Sequence, residues 1–149
     1  MPAVSLERAK PEDAPDLADL RVLAMRPSLE AVGRFDPERA RGRFLASFVA
    51  QDTWHIVSNG ARAGVLVLRA ECGELLLDHL YIHPDHQGRT LGAAALDFVF
   101  TKALELGRVV RVGALRGSRS NEFYVRHGFK LLREAEWDNY YVWAPRSVA

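Results

Sequence analysis

The sequence predicts an α/β (α+β) fold: one mixed, mostly antiparallel sheet with a central parallel strand pair and flanking helices. Three observations carry this. Strand-like runs at 53–58, 61–70 and 73–83 are joined through Asn59-Gly60 and Glu71-Cys72-Gly73, turn pairs that favour a meander. A long apolar helix at 91–106 lies between the last of these strands and a further strand at 108–115. A crossover of that kind makes its flanking strands parallel. Two closing runs, 129–137 and 138–145, form a terminal hairpin.

The elements follow in order. "AVSLERA" alternates and reads as a first strand. "PEDAPDLADLRVLAM" reads as a helix: Pro11 suits its first turn, and Glu12 and Asp13 suit its positive end. Leu17, Leu20 and Leu23 or Ala24 supply its buried stripe. "RPSLEAVGRFDP" reads as a loop or broken helix. Asp36 caps a second helix beginning at Pro37. In the 91–106 helix, Asp97, Thr101, Glu105 and Arg108 make a narrow polar stripe, so the helix is expected to be largely buried, with Gly107 stopping it. "SRSNEFYVRHG" is a short helix capped by Ser118 or Ser120 and stopped by Gly128.

Composition narrows the function classes. The 149 residues fit one domain, 1–149, with enough chain to bury a core. The net charge of +1 provides no global field for nucleic acid or membrane. The one cysteine, Cys72, fits a reducing compartment. No apolar run approaches the ~20 residues that span a bilayer, and the N-terminus has no apolar signal core. A cytoplasmic domain is expected, with neither a nucleic-acid nor a membrane partner; a homodimer is compatible with these features.

The most unusual stretch is "HPDHQGRTLGAAAL", residues 83–96. A strand runs into a glycine-bearing turn and then directly into a helix. The first N–H groups of a helix lack internal partners and sit at its positive end, and glycines let an anion approach the backbone. Gly88 and Gly92 equally suit a tight strand–helix turn with no ligand. There is no Gly-Lys-Ser/Thr of a Walker loop, and no Gly-x-Gly-x-x-Gly of a dinucleotide fold.

With its neighbours the stretch is more specific. "LYIHPDHQGRTLGAAAL", followed some thirty residues on by "SNEFYVRHGF", closely resembles the GNAT acyltransferase family, whose pyrophosphate loop reads Gln/Arg-x-x-Gly-x-Gly/Ala. Gln87, Gly88, Arg89, Leu91, Gly92 and Ala93 fit that loop, with Thr90 in place of the first glycine. Asn121, Phe123-Tyr124 and Gly128-Phe129 fit the second signature. The resemblance implies a GNAT fold, acetyl-CoA as cofactor and a small-molecule or peptide amine as acceptor. It assigns the pyrophosphate to the amides of Gln87 to Ala93. It assigns the pantetheine arm to Leu80, Tyr81 and Ile82, with backbone pairing at Leu80 and Ile82. Asn121 matches a position that contacts CoA, and Tyr124 the tyrosine near the thioester sulfur. Thr90 allows two readings. At positive φ a β-branched residue is strained; in a helical conformation it is tolerated and its hydroxyl can donate to phosphate.

The arginines and lysine of residues 108–133 stand against one acid, Glu122, which suits the phosphates of CoA or simply a solvated basic face. Tyr124 is the expected proton donor to the departing thiolate. The candidate bases lie on the third meander strand: Glu74 and Asp78 on one face, His79 on the other. Asp78, within "LLLDHL", is either functional or the partner of an arginine, because an uncompensated buried carboxylate is costly. No metal is expected: His79 and His83 on a strand stand about 13 Å apart, too far to share an ion with bonds of about 2 Å. The expected function is N-acetyl transfer from acetyl-CoA to a primary amine in a ternary complex. The alternatives are a catalytically silent CoA-binding domain of the same fold and an RNA-associated protein using the basic segment.

Overall fold

In the computed structural model, which describes residues 3–88 and 90–145, strand β1 (Val4–Arg8) leads through a single 3₁₀ turn into helix α1 (Ala14–Ala31). Helix α1 runs past the expected loop boundary and carries Pro27 within it. A proline there leaves the carbonyl four residues back without a donor. That residue, Leu23, is 47% exposed, where water can meet the carbonyl. Segment 26–31 is therefore helix rather than loop, and Leu23 is not part of the buried stripe; Leu17 and Ala18 are. Helix α2 (Pro37–Ser47) starts as expected, with the Asp36 carboxylate accepting from the Arg39 N–H.

Strands β2 (Thr53–Ser58), β3 (Ala61–Glu71) and β4 (Glu74–Ile82) form the meander. Asn59 and Gly60 between β2 and β3, and Cys72 and Gly73 between β3 and β4, all take left-handed backbone, the conformation of a two-residue hairpin turn. Helix α3 (Leu91–Leu106) buries Leu91, Ala95, Val99 and Ala103, a stripe at spacings of four. Asp97, Thr101 and Glu105 are exposed as expected. Leu104 (58% exposed) and Leu106 (53%) join them, so the solvent face is wider than the polar pattern indicates. Strand β5 (Val110–Leu115), helix α4 (Ser120–Arg126), and strands β6 (Lys130–Glu134) and β7 (Asp138–Trp143) complete the chain. Neither serine caps α4 through its side chain. The N-cap is Arg119, and the Ser118 carbonyl accepts from the Asn121 N–H.

The seven strands form one sheet in the order β1-β2-β3-β4-β5-β7-β6. Strands β4 and β5 pair in parallel, Leu75 to Leu77 against Val110 to Val112, as the α3 crossover requires. The β1–β2, β2–β3, β5–β7 and β6–β7 pairs are antiparallel. By internal contacts the chain divides into two units, the described residues of Met1–Val67 with His79–Ala95 and those of Leu68–Asp78 with Leu96–Ala149. The first has a core of Ala9, Leu17, Ala18, Phe44, Val65 and Val67, with Leu20, Leu45, Phe48 and Tyr81 packed on it. In the second, Leu75, Leu77, Val110, Val112, Phe129 and Tyr141 are buried.

One polar pair in the first unit is embedded in this packing. Buried His55 donates from Nε2 to Asp13 Oδ2 at 2.9 Å, and the Lys10 N–H donates to the same oxygen at 2.9 Å. The His55 hydrogen bond, then the Lys10 one, holds the Asp13 carboxyl below its ordinary value of 3.8. A carboxyl depressed in the folded state stabilises above its unfolded value, and that contribution is lost as pH falls through the folded one. Asp13→Asn should therefore be less stable than the parent at neutral pH, and the gap should close below about pH 4. Urea melts of both proteins from neutral to acid pH check this; a gap independent of pH would rule out the ionised carboxylate as its source.

Candidate active site

The first unit holds the strand–loop–helix stretch. Past Ile82 the chain makes a single 3₁₀ turn at Pro84–His86. It is locked locally: the Asp85 N–H donates to His83 Nδ1 at 3.1 Å and the His86 N–H to the His83 carbonyl at 2.8 Å. Gln87 folds back, its Nε2 donating to the Ile82 carbonyl at 3.1 Å. Gly88 then takes φ +79° and Thr90 φ +61°. A Cβ on Gly88 would meet nothing within 4 Å, so its backbone angle, not space, calls for glycine. Thr90 realises the strained alternative: a β-branched residue in left-handed backbone is an outlier. Arg89, expected in the same loop, lies outside the described residues. The Thr90 carbonyl accepts from the Ala94 N–H at 3.1 Å, the first α-helical bond of α3. The N–H groups of Leu91, Gly92 and Ala93 thus precede that ladder and have no acceptor within it.

Upstream on β4, His79 and Tyr81 share one face. His79 Nδ1 lies 2.9 Å from the Tyr81 hydroxyl oxygen, which accepts from Arg21 Nε at 3.3 Å. The His79 ring stands 5.1 Å from that of Phe44. Strand β3 comes close behind Tyr81: a Cβ on Gly64 would sit 2.5 Å from the Tyr81 carbonyl oxygen, so only glycine fits there.

In the second unit, Tyr124 on α4 is 5% exposed, its ring edge-on to Phe123 and Phe129 with centroids 5.3 Å from each. Asn121, one turn earlier, spends its side chain inside the fold. Its Nδ2 donates to the Leu115 and Ser118 carbonyls, each at 2.9 Å. Its Oδ1 accepts from Asn139 Nδ2 at 2.9 Å and the Tyr141 hydroxyl at 2.7 Å. Two donors and two acceptor positions are all an amide has. Its side chain thus ties α4 to the end of β5 and to β7. Arg69 Nε donates to Asp78 Oδ2 at 2.9 Å, the arginine partnership that the burial argument raised. Glu74 pairs with Arg111 Nε at 3.0 Å. Among the described residues, no group of three or more His, Cys, Asp and Glu could hold a metal ion, and no helix is long and apolar enough to cross a membrane.

A family model described as an acetyltransferase (GNAT) domain matches residues 46–131, more than half of the chain and both signatures. The chain belongs to the GNAT family. Solved structures agree with that fold. The GCN5-related N-acetyltransferase of Rhodopseudomonas palustris superposes with a TM-score of 0.78 at 22% identity, covering 97% of this chain and 96% of that one. PaiA N-acetyltransferase of Thermoplasma acidophilum, in complex with coenzyme A, gives 0.75 at 14% identity, covering 96% and 99%. The ribosomal-protein-S18-alanine N-acetyltransferase of Escherichia coli gives 0.68 at 14%, covering 94% and 91%. No curated protein matches the chain by sequence. In this GNAT domain, the groups that the sequence did not single out are Arg21 and the Asp13–His55 pair. Their partners lie 60 and 42 residues away, and no local pattern encodes such a pairing.

Proposed function

We propose that this GNAT domain is an N-acetyltransferase that moves the acetyl group of acetyl-CoA directly to a primary amine, small-molecule or peptide, in a ternary complex. The observation that carries the reading is the pair of left-handed residues, Gly88 and Thr90, at the mouth of α3. Strain in a threonine persists where the surroundings over-determine it, and such outliers gather at ligand sites. Here it turns the chain so that the N–H groups of Leu91, Gly92 and Ala93 lead the helix, an arrangement suited to a pyrophosphate. The donor set fits the group: backbone amides at a positive helix end, with glycines beside them.

Bound acetyl-CoA supplies the acyl group as an activated thioester. The loop from Gln87 to Ala93 holds its pyrophosphate. Leu80 and Ile82 pair through their backbone with the pantetheine arm, and Tyr81 between them faces the α1 side through Arg21. The Tyr124 hydroxyl donates a proton to the departing sulfur. Asn121 holds α4, and so the register of Tyr124, three residues on.

The test is thermal. A ligand at a hundred times its Kd adds about 2.7 kcal/mol of stability, a rise of roughly 5–10 °C in Tm for a chain of this size. Acetyl-CoA should give such a shift and dephospho-CoA a smaller one, with thiol release on a panel of primary amines. A flat melting curve at millimolar acetyl-CoA would overturn the reading. A shift without thiol release on any amine would make the chain a silent CoA-binding domain.

A further inference from the structure

We infer that strand β6 is an interface between two copies of this chain, paired antiparallel about a two-fold axis at Leu132. The contact uses no residue of the acetyl-transfer chemistry above and stands apart from it. Strand β6 ends the sheet, hydrogen-bonded to β7 alone, and all five of its residues, Lys130–Glu134, are exposed. An edge strand presents a row of backbone N–H and C=O groups to which another strand can pair, and exposed apolar side chains on it favour that pairing. At the centre of β6, Leu131 is 50% exposed and Leu132 49%; Trp137, in the turn to β7, is 43% exposed. The other edge, β1, differs. Its Val4 and Leu6 are half-buried, and its exposed positions are Ser5, Glu7 and Arg8.

The order of charges along β6 selects the partner. Lys-Leu-Leu-Arg-Glu, read against a second copy running the other way, sets Lys130 opposite Glu134 of that copy at both ends. Leu132 meets Leu132, and Leu131 meets the apolar stem of Arg133. Residues directly opposed in an antiparallel pair interact through their side chains: opposite charges stabilise there and like charges repel. The competing arrangements do worse. A parallel pair in register sets Lys130 on Lys130 and Glu134 on Glu134. An antiparallel pair slipped by one residue either sets Lys130 on Arg133 or makes no ion pair. Strand β1 read against itself in the same way sets Val4 on Arg8 and Ser5 on Glu7, with no charge pair.

The structure leaves these charges available. Neither Lys130 nor Glu134 has an ion-pair partner among the described residues. Four residues apart on one strand they stand about 13 Å from each other, too far to pair within the chain. Arg133, by contrast, is occupied over the Tyr140 ring, 4.4 Å from its centroid. The register with β7 shifts between Leu131 and Arg133, so Leu132 is the extra residue of a bulge. A bulge and charged ends blunt an edge against ordinary strands. A second copy meets both features, because an interface about a two-fold axis is self-complementary and brings the same irregularity to the same place.

A contact through five residues is small, so the dimer is expected to be weak and concentration-dependent. The experiment is sedimentation velocity on the full chain from about 1 μM to about 1 mM, with melting curves to check that each variant folds. The parent should pass from monomer to dimer across the series. Lys130→Glu and Glu134→Lys each place like charges at both ends of the contact and should weaken the dimer about tenfold. The variant carrying both substitutions restores the pairs in reversed order and should dimerise as the parent does. Leu132→Asp sets two carboxylates across the axis and should stay monomeric throughout. A parent that is monomeric at every concentration overturns the interface. A dimer indifferent to the single substitutions or to Leu132→Asp places the contact elsewhere on the chain and overturns it too. So does a weakening that the double substitution fails to reverse, because Lys130 and Glu134 then do not face each other.

Discussion

Tyr124→Phe is expected to lower kcat about a hundredfold, the lower end of what a positioned general acid contributes, with acetyl-CoA affinity nearly unchanged. The substitution removes one oxygen. The ring's edge-on contacts with Phe123 and Phe129, and the burial of the side chain, do not need the hydroxyl. The fold should therefore survive, and a melting curve checks that it does. The interaction between the hydroxyl and the sulfur strengthens only as the sulfur gains charge, so its loss appears in kcat rather than in ground-state binding. Pre-steady-state thiol release separates the chemical step from product release. A kcat within about threefold of the parent, far short of the general-acid range, would place the proton elsewhere.

Asn121 bears on the same helix. The sequence marks Asn121 and Tyr124 as one motif, and a motif does not say which member touches the ligand and which holds the other. The hydrogen bonds add one thing: both donors and both acceptor positions of the Asn121 amide are used inside the fold, so its side chain fastens α4. Asp78 teaches a similar lesson. Burial cost alone required that its carboxylate be functional or paired, and Arg69 on the neighbouring strand supplies a pair that no local pattern announces. What was legible was the local chemistry. Left-handed turns at Asn59-Gly60, the strand alternation and the four-residue stripe of α3 are written within a few residues of one another, and each element they predict is present. The length of α1 was not legible, because a proline reads as a stop and here the helix runs through it. The Arg21–Tyr81–His79 series was not legible either. The alternation on β4 puts His79 and Tyr81 on one face, but the arginine comes from a helix 60 residues earlier.

Gly92→Val should abolish measurable CoA binding while leaving the fold intact or slightly more stable, a combination that few substitutions produce. Gly92 is the second residue of α3, and its φ is not among the left-handed ones, so a side chain is compatible with its backbone. Within a helix, glycine is worse than alanine by about 1 kcal/mol and valine by less, so helix propensity favours the variant. The cofactor meets the opposite situation. If the N–H groups of Leu91, Gly92 and Ala93 face the pyrophosphate, a branched side chain on the middle residue stands where the phosphate oxygens must approach the backbone, and no rotamer of a stiff β-branched group withdraws far from it. The neighbouring strain adds to this. Thr90 already holds a left-handed angle unfavourable to threonine, so the turn has little freedom to open and make room. Calorimetric titration with CoA, beside a melting curve without it, reads both effects on one preparation. A folded Gly92→Val protein that binds CoA as tightly as the parent would show that the glycine serves the turn alone, and that the phosphates lie elsewhere on the chain.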